Sequence, residues 1–237
     1  MSLLLGYNIL NQPLASIDYK SIKIINTINP HSYCMAKKDA LFMEALKDSD
    51  ILLPDGIGIV MAERVLNGNR IKKIAGYQLF TFLMEKINKE SGSCFFLGAS
   101  EATLTKIKIK INIDFPNVKV ESYSPPYKSE FSEEDSKRMC ARVNAFKPNV
   151  LFVGMTAPKQ EKWVHLNKHR ISADLVCSIG AVFDFYAGNI KRSSPFWVNL
   201  GLEWLPRFAR EPIRLARRNL ISTPSFILEV FSRKILS

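Results

Sequence analysis

The chain has 237 residues, of which 47% are hydrophobic and 23% are charged, and it contains only 11 glycines and 12 prolines. This composition is typical of a globular protein and excludes a disordered, collagen-like or low-complexity chain. The formal net charge of +11 predicts an anionic partner, and residues 191–237, with nine basic and three acidic residues, carry more than half of that excess.

Short apolar runs alternate along the chain with segments of helical period. Such runs are typical of strands that are buried on both faces of a parallel sheet. The predicted strands are residues 22–25, 51–53, 94–97, 118–121, 150–153 and 175–179. The sequence therefore predicts an α/β fold, a doubly wound, Rossmann-like parallel sheet with helices on both faces.

The segments between these strands carry the helix and loop signals. Residues 32–47 place apolar side chains on one face and predict a single helix, and residues 79–87 predict another. Ser132, followed by three acids, predicts the N-terminus of a helix over residues 132–146. Residues 122–131 contain two prolines and predict an ordered surface loop.

The character of the chain changes after Asp184, where prolines predict a series of short helices. We therefore expect an α/β catalytic core over residues 1–190 and a basic, amphipathic, helical appendage over residues 191–237. Arginines of this appendage recur at helical spacing on one face, while aromatic and aliphatic residues lie off that face. A segment of this kind suits an anionic membrane surface, a diphosphate, or both.

Ligands of open parallel sheets bind outside the carboxyl ends of the strands. Segments rich in small or polar residues follow the predicted strands and should converge on that edge; they are residues 25–30, 53–58, 96–100, 152–160 and 178–184. Gly98 and Gly154 each stand between a strand and a helix start, where free backbone N–H groups and the helix dipole favour a phosphate.

Asp55 directly follows an apolar strand at the predicted ligand edge. Its carboxylate could take a proton from a sugar hydroxyl, or it could cap the following helix, and the sequence leaves both readings open. Thr27, Asn29, Gln160 and Asp184 are polar residues of the same edge, and each alone is typical of a cap or turn. Together with Asp55 they predict a binding pocket.

Two patterns that could hold a metal ion have simpler explanations. Asp48 and Asp50 form a DxD pattern, but they precede a strand and so lie at the opposite end of the sheet from the ligand edge. His165 and His169 are four residues apart on a predicted helix without an evident third ligand, which favours a solvated helix face. The chain has no GxGxxG fingerprint, so we expect no nicotinamide cofactor.

The four cysteines have no paired spacing and predict reduced thiols of a cytoplasmic protein. No apolar stretch reaches the roughly 18–20 residues that cross a bilayer.

The sequence resembles the WecG/TagA/CpsF family, glycosyltransferase family 26, over nearly its whole length. The matching stretches are INTINPHSYCMAKKD, LLPDGIGIVMA, FFLGAS, FVGMTAPKQEKW, GAVFDFYAGNIKRSSPFW and GLEWLPRFAREPIRLARRNL. The resemblance implies a Rossmann-like core and a membrane-docking appendage. It also implies inverting, metal-independent transfer of an N-acetylmannosamine-type sugar from a UDP-sugar to a polyprenyl-diphosphate-linked saccharide. Such an enzyme would act in cell-surface polysaccharide or teichoic acid biosynthesis, peripherally bound to the cytoplasmic face of the cell membrane.

The resemblance also implies residue roles. It makes Asp55 the catalytic base, and it makes a further set of residues substrate-binding: Thr27, Asn29, Lys73, Gln160, Asp184, Arg207, Arg214 and Arg217. Lys73 stands where family members often have arginine, and Gln78 stands where they often have an acid. This departure leaves the identity of the donor sugar open.

Two other functions stay open at this point. The chain could be a non-catalytic sugar-nucleotide-binding or scaffold protein, since a fold does not by itself provide an activity. Its net charge could also indicate nucleic-acid binding, although no binding module is recognisable and nucleic acid is not an expected partner. The sequence does not determine whether the chain forms a homo-oligomer.

Overall fold

The computed structural model describes residues 1–19, 23–191 and 216–236, together with Trp197 and Leu205. The strands in these ranges are β1 (Ser2–Leu4), β2 (Tyr7–Ile9), β3 (Ile24–Ile28), β4 (Ile51–Pro54), β5 (Ser93–Gly98), β6 (Lys119–Tyr123), β7 (Val150–Gly154) and β8 (Leu175–Ser178). They form one sheet in the order β1-β2-β4-β3-β8-β7-β5-β6. β1 and β2 are antiparallel, and the other neighbouring strands pair in parallel.

Helices cover both faces of this sheet. They are α1 (Pro30–Ala36), α2 (Ala40–Lys47), α3 (Ile57–Asn67), α4 (Gly76–Lys89), α5 (Glu101–Asp114), α6 (Glu133–Phe146), α7 (Lys159–Asn167) and α8 (Ala181–Tyr186), and a C-terminal helix spans Thr223–Leu236. A π-helical turn, Arg217–Ser222, leads into the C-terminal helix. The predicted α/β fold with a largely parallel sheet is confirmed.

The core strands follow from their continuous apolar runs. Successive residues of β7 enter opposite faces: Phe152 packs with α4, α5 and α8 on one side, and Leu151 and Val153 pack with α6 and α7 on the other. Burial on both faces explains why these strands read as unbroken hydrophobic segments. The predicted strands at residues 51–53, 94–97 and 150–153 each match an observed strand within one residue at either end.

The structure corrects three details of these predictions. The first predicted strand, residues 22–25, is β3 and runs on to Ile28, because Asn26 and Thr27 lie within the strand. The predicted helix over residues 32–47 is two helices, since the Asp39 side chain accepts a hydrogen bond from Phe42 N (3.0 Å) and starts α2. The N-terminal hairpin β1–β2 was not predicted; its turn has positive φ at Leu5 and Gly6.

The C-terminal helix packs into a core cluster at the β2–β4 side of the sheet. Phe226 and Val230 are 1% and 4% exposed there, and the Phe226 ring meets Tyr33 edge-on with a centroid separation of 5.2 Å. Tyr33 Oη donates to Glu229 Oε1 (2.8 Å), and Lys37 pairs with the same carboxylate (2.8 Å). The end of the chain is thereby held against α1.

Candidate active site at the carboxyl edge of the sheet

A pocket of about 850 Å³ opens at the carboxyl edge of the sheet. Segments that follow β3 through β8 contribute to its wall, so the predicted convergence of the polar strand ends is observed. Its volume falls in the range of small-molecule and cofactor sites. Six of the sequence-predicted site residues line it: Thr27, Asn29, Asp55, Gly154, Gln160 and Asp184.

Asp55 lies immediately after β4, between this strand and α3. Its backbone N–H donates to Ile28 O (2.8 Å), which ties the end of β4 to the end of β3. The N-cap of α3 is Gly56, at φ +98°, and this helix has no side-chain cap. Asp55 therefore does not serve as the N-cap, and its half-buried side chain lines the pocket.

Asn29 combines a pocket position with a cap. Its Oδ1 accepts from His31 N and Ser32 N (both 3.0 Å), and its own N–H donates to Ser32 Oγ (2.8 Å), a reciprocal capping box at the start of α1. The carbonyl oxygen of its side chain is thus already used, and its amide group is what remains for a ligand. Thr27 lies on β3, in register with Leu53 of β4.

Gln160 joins two loops of the pocket. Its Oε1 accepts from Met155 N and Gly180 N (both 3.1 Å), which belong to the loops after β7 and β8. Its Nε2 donates to Glu161 Oε1 (2.8 Å). This arrangement occupies the side-chain oxygen and leaves one N–H, so Gln160 shapes the pocket more than it offers groups to a ligand.

Glu161 is a pocket residue that the sequence analysis missed. It is 3% exposed, lines the pocket, and lies in the first turn of α7. Burial raises the pKa of its carboxyl to about 7. The sequence signal was available, because an acid directly follows the predicted pocket glutamine, but a charge in the first helical turn is usually solvated.

The buried Glu161 carboxyl should make stability depend on pH. Its pKa of about 7 exceeds the ordinary 4.5, so the folded state binds more protons than the unfolded state between these values. The protonated carboxyl of Glu161 contributes its full stability below the pKa of the unfolded state, and this contribution is lost as pH rises through the pKa of the folded state. Glu161→Gln, which does not titrate, should gain up to about 3 kcal/mol relative to the native protein between about pH 4 and pH 8. Urea unfolding of both proteins at each pH measures the difference; parallel pH dependences would contradict it.

Asp184 lies in α8, a helical turn beyond β8, rather than at the strand end as predicted. Its Oδ1 accepts from Asn189 Nδ2 (3.2 Å), and the same amide group donates to Thr103 Oγ1 (2.9 Å). Thr103 belongs to the first turn of α5, whose N-cap Ser100 accepts from Thr103 N (3.3 Å). Asp184 thus stands beside the positive end of a long helix at the pocket wall.

The two glycines predicted to cradle a phosphate differ in position. Gly154 lines the pocket, whereas Gly98 is not among the lining residues. Gly98 has φ +114°, and a Cβ there would overlap the carbonyl oxygen of Gly154 on the neighbouring strand. Close approach of the backbones explains this glycine.

Among the predicted substrate-binding cations, the structure describes the side chain of Lys73. Lys73 does not line it; its Nζ is buried, and the next residue, Ile74, donates its N–H to Pro54 O (2.9 Å) beside the end of β4. Arg207 and Arg214 lie outside the described residues, as does the side chain of Arg217. Their binding roles stay predictions.

The loop that follows β6 lines the pocket and is held at both ends by hydrogen bonds. Ser124 Oγ donates to Ala99 O (2.7 Å) at one end of the loop. At the other end the buried Asp135 accepts from Lys128 Nζ (2.8 Å) and from Ser132, which holds the pKa of its carboxyl well below its ordinary value. The sequence alone indicates only that Asp135 is an acid at the start of a helix. In the structure it also holds the end of this loop through Lys128. Tyr127 lines the pocket and is fully exposed.

The DxD pattern lies at the opposite edge of the sheet, as expected. Asp48 pairs with Lys168 and lies 3.0 Å from His165 Nδ1, so His165 contacts a carboxylate and is not fully solvated as predicted. Asp50 Oδ2 accepts from Lys23 N (2.9 Å) and Ile24 N (2.8 Å) at the start of β3. In the part of the chain that the structure describes, no cluster of three or more histidine, cysteine or acidic side chains could hold a metal ion.

The C-terminal segment reaches the pocket wall. His31, which lines the pocket, has its Nδ1 2.8 Å from Ser222 Oγ, and Cys34 Sγ contacts Ser222 O (3.4 Å). Ser222 ends the π-helical turn that precedes the C-terminal helix. The first turns of α1 thus connect the pocket to the end of the chain.

The chain is similar to known proteins over most of its length. A family model described as "Glycosyl transferase WecG/TagA/CpsF family" matches residues 8–237. The N-acetylglucosaminyldiphosphoundecaprenol N-acetyl-beta-D-mannosaminyltransferase of Bacillus subtilis is 32% identical over 218 residues, which cover 92% of this chain and 82% of that protein. Proteins of the same name from Bacillus spizizenii and Staphylococcus aureus are 29% and 24% identical, over 92% and 89% of this chain and 82% and 80% of their own lengths.

Proposed function

Since the chain belongs to the WecG/TagA/CpsF family of glycosyl transferases, we propose that it moves an N-acetylmannosamine-type sugar from a UDP-sugar to a polyprenyl-diphosphate-linked saccharide. The family makes the chain a glycosyltransferase. The acceptor and the transferred sugar are proposed from the names of the relatives, which describe the transfer of N-acetyl-beta-D-mannosamine to N-acetylglucosaminyldiphosphoundecaprenol. The UDP carrier of the donor sugar is proposed from the family resemblance. The reaction would belong to the biosynthesis of a cell-surface polymer such as teichoic acid.

The position of Asp55 carries the mechanistic part of the proposal. A carboxylate that lines the pocket and does not cap α3 is positioned to act on a bound substrate as a general base. It takes the proton of an acceptor hydroxyl while the acceptor oxygen forms a bond to C1 of the donor sugar. The bond between C1 and the diphosphate oxygen breaks in the same in-line step, UDP leaves with the bonding electron pair, and the configuration at C1 inverts.

The departing UDP needs positive charge near its phosphates. The N-terminus of α5 supplies part of it through its helix dipole, because the N-cap Ser100 and Thr103 of the first turn line the pocket. We propose that the appendage arginines Arg207, Arg214 and Arg217 supply the rest through paired hydrogen bonds to phosphate oxygens. Lys73 directly precedes Ile74, which is hydrogen-bonded to the end of β4. A contribution of Lys73 to this positive charge rests on the family resemblance alone.

Transfer is tested with purified protein, a panel of UDP-sugars and a synthetic prenyl-diphosphate-linked N-acetylglucosamine. Release of UDP that requires the acceptor, together with a product heavier by one N-acetylhexosamine, is the expected result. Acceptor-independent binding of UDP-sugars without release of UDP would instead favour the non-catalytic sugar-nucleotide-binding protein.

We propose that the C-terminal helix docks the enzyme on an anionic membrane. No helix among the described residues is long and apolar enough to cross one. The face of the C-terminal helix that lies opposite its buried residues is apolar and exposed: Leu228, Phe231 and Ile235 are 69%, 51% and 84% exposed. Arg233 and Lys234 add positive charge to the same helix, and Arg233 also pairs with Glu229 (3.2 Å). Apolar side chains flanked by basic ones are the composition of a helix that lies in a membrane interface.

Replacing both Leu228 and Ile235 with serine should weaken binding to vesicles of anionic phospholipid by roughly tenfold or more, because two apolar side chains no longer enter the interface. Sedimentation with vesicles measures the effect. The matched control replaces Ile109 and Ile113 of α5, which are 59% and 74% exposed, with serine. Equal losses in the two double variants would exclude the C-terminal stripe as the docking surface.

A further inference from the structure

Two buried oxygen atoms at the floor of the pocket have no hydrogen-bond partner within the described structure. They are Glu161 Oε2 and Ser178 Oγ, on residues that are 3% and 2% exposed and that both line the pocket. A buried polar atom without a partner costs on the order of 1–3 kcal/mol, and native structures satisfy nearly all of them. Two such atoms in one pocket therefore indicate that a bound ligand supplies their hydrogen-bond partners.

The fold places the two residues on the same side of the sheet. Val176 of β8 packs with Trp163 and Val164 of α7, so Ser178, two residues further along β8, points to the same face. Glu161 stands in the first turn of α7, on that face. Gln160 links the two neighbourhoods, since it donates to Glu161 Oε1 and accepts from Gly180 N.

The hydrogen bond from Gln160 fixes which atom of Glu161 is available. Oε1 is engaged by Gln160 Nε2 at 2.8 Å, so only Oε2 is left for a ligand. Ser178 brings a hydroxyl that can donate or accept. An acceptor and a hydroxyl on two buried pocket residues match a neutral group that has both a donor and an acceptor, such as an amide.

We propose that Glu161 and Ser178 form a specificity sub-site for the acetamido group of the donor sugar. This inference rests on the proposed function. The acetamido N–H donates to Glu161 Oε2, and its carbonyl oxygen accepts from Ser178 Oγ. A donor with a hydroxyl at C2 offers one oxygen atom in place of the separate N–H and carbonyl oxygen of the acetamido group, so it pairs with the two buried atoms less well. Poorly paired buried groups are how binding sites reject close analogues.

The test compares the affinities for UDP, UDP-N-acetylmannosamine and UDP-mannose, by calorimetry on the full chain. The native protein should prefer the N-acetylated donor by about tenfold or more over UDP-mannose. Ser178→Ala and Glu161→Gln should each bring this ratio close to one, while the affinity for UDP itself changes less than about twofold. The matched controls are Ser136→Ala and Glu63→Gln, which alter a buried serine and a buried glutamate outside the pocket and should keep the native ratio.

Each outcome has a distinct meaning. A native protein that binds neither UDP nor UDP-sugars overturns the proposed function and the sub-site with it. A native preference for the N-acetylated donor that survives in both pocket variants overturns the sub-site alone, and the two oxygens then bind water only. Thermal unfolding of every variant identifies any loss of affinity that comes from a folding defect.

Discussion

Asp55→Asn is expected to lower the rate of sugar transfer by roughly 10²–10⁴-fold and to leave UDP binding within about twofold of the native value. Asparagine has the shape of aspartate but cannot take a proton from the acceptor hydroxyl. The backbone N–H of residue 55, which donates to Ile28 O, is unchanged by the substitution, so the end of β4 should keep its position. Rates of UDP release and calorimetric UDP titrations measure the two quantities.

Asp50→Asn, directly before β4, provides a matched control. Asp50 stands at the opposite end of β4 and accepts from Lys23 N and Ile24 N, away from the pocket. Its replacement should leave the transfer rate unchanged within about twofold, because a carboxylate at that edge has no access to substrate. Native turnover in Asp55→Asn would exclude this residue as the base, whatever the control shows.

The residues that sequence reasoning located at the pocket share one property. Apolar runs precede or contain the pocket residues Thr27, Asp55 and Gln160. The carboxyl ends of parallel strands meet at one edge of a sheet, irrespective of which side chains they carry. Strand polarity alone therefore places them together. No comparable rule exists for the appendage arginines, because strand polarity does not apply to a predicted helical segment and their spacing indicates only a shared helix face.

The features that sequence reasoning missed depend on burial, which a single sequence does not display. Glu161 and Asp135 both sit in the first turn of a helix, where acids are ordinarily solvated, yet they are 3% and 1% exposed. The predicted helix over residues 32–47 failed for a local reason: the apolar period continues through the break, and only the cap at Asp39 interrupts it. Periodicity alone therefore reveals neither this local break nor the burial of the two acids.

Phe226→Ala is expected to lower the free energy of unfolding by about 3–5 kcal/mol. Phe226 is 1% exposed, and its ring packs against Tyr33 and the residues around Gly58, so truncation leaves a cavity between the C-terminal helix, α1 and α3. Urea unfolding with an unchanged slope measures this loss. Phe231→Ala is the matched control: Phe231 lies on the same helix but is 51% exposed, and its replacement should cost less than about 1 kcal/mol.

This pair of variants also tests the predicted boundary between a core over residues 1–190 and an appendage over residues 191–237. If the appendage were an independent unit, Phe226→Ala would leave the unfolding of the core unaffected and resemble Phe231→Ala. The contacts of Tyr33 and Lys37 with Glu229, and of His31 with Ser222, argue for one cooperative transition instead. Because His31 also lines the pocket, a displaced C-terminal helix should weaken UDP-sugar binding as well, in Phe226→Ala but not in Phe231→Ala.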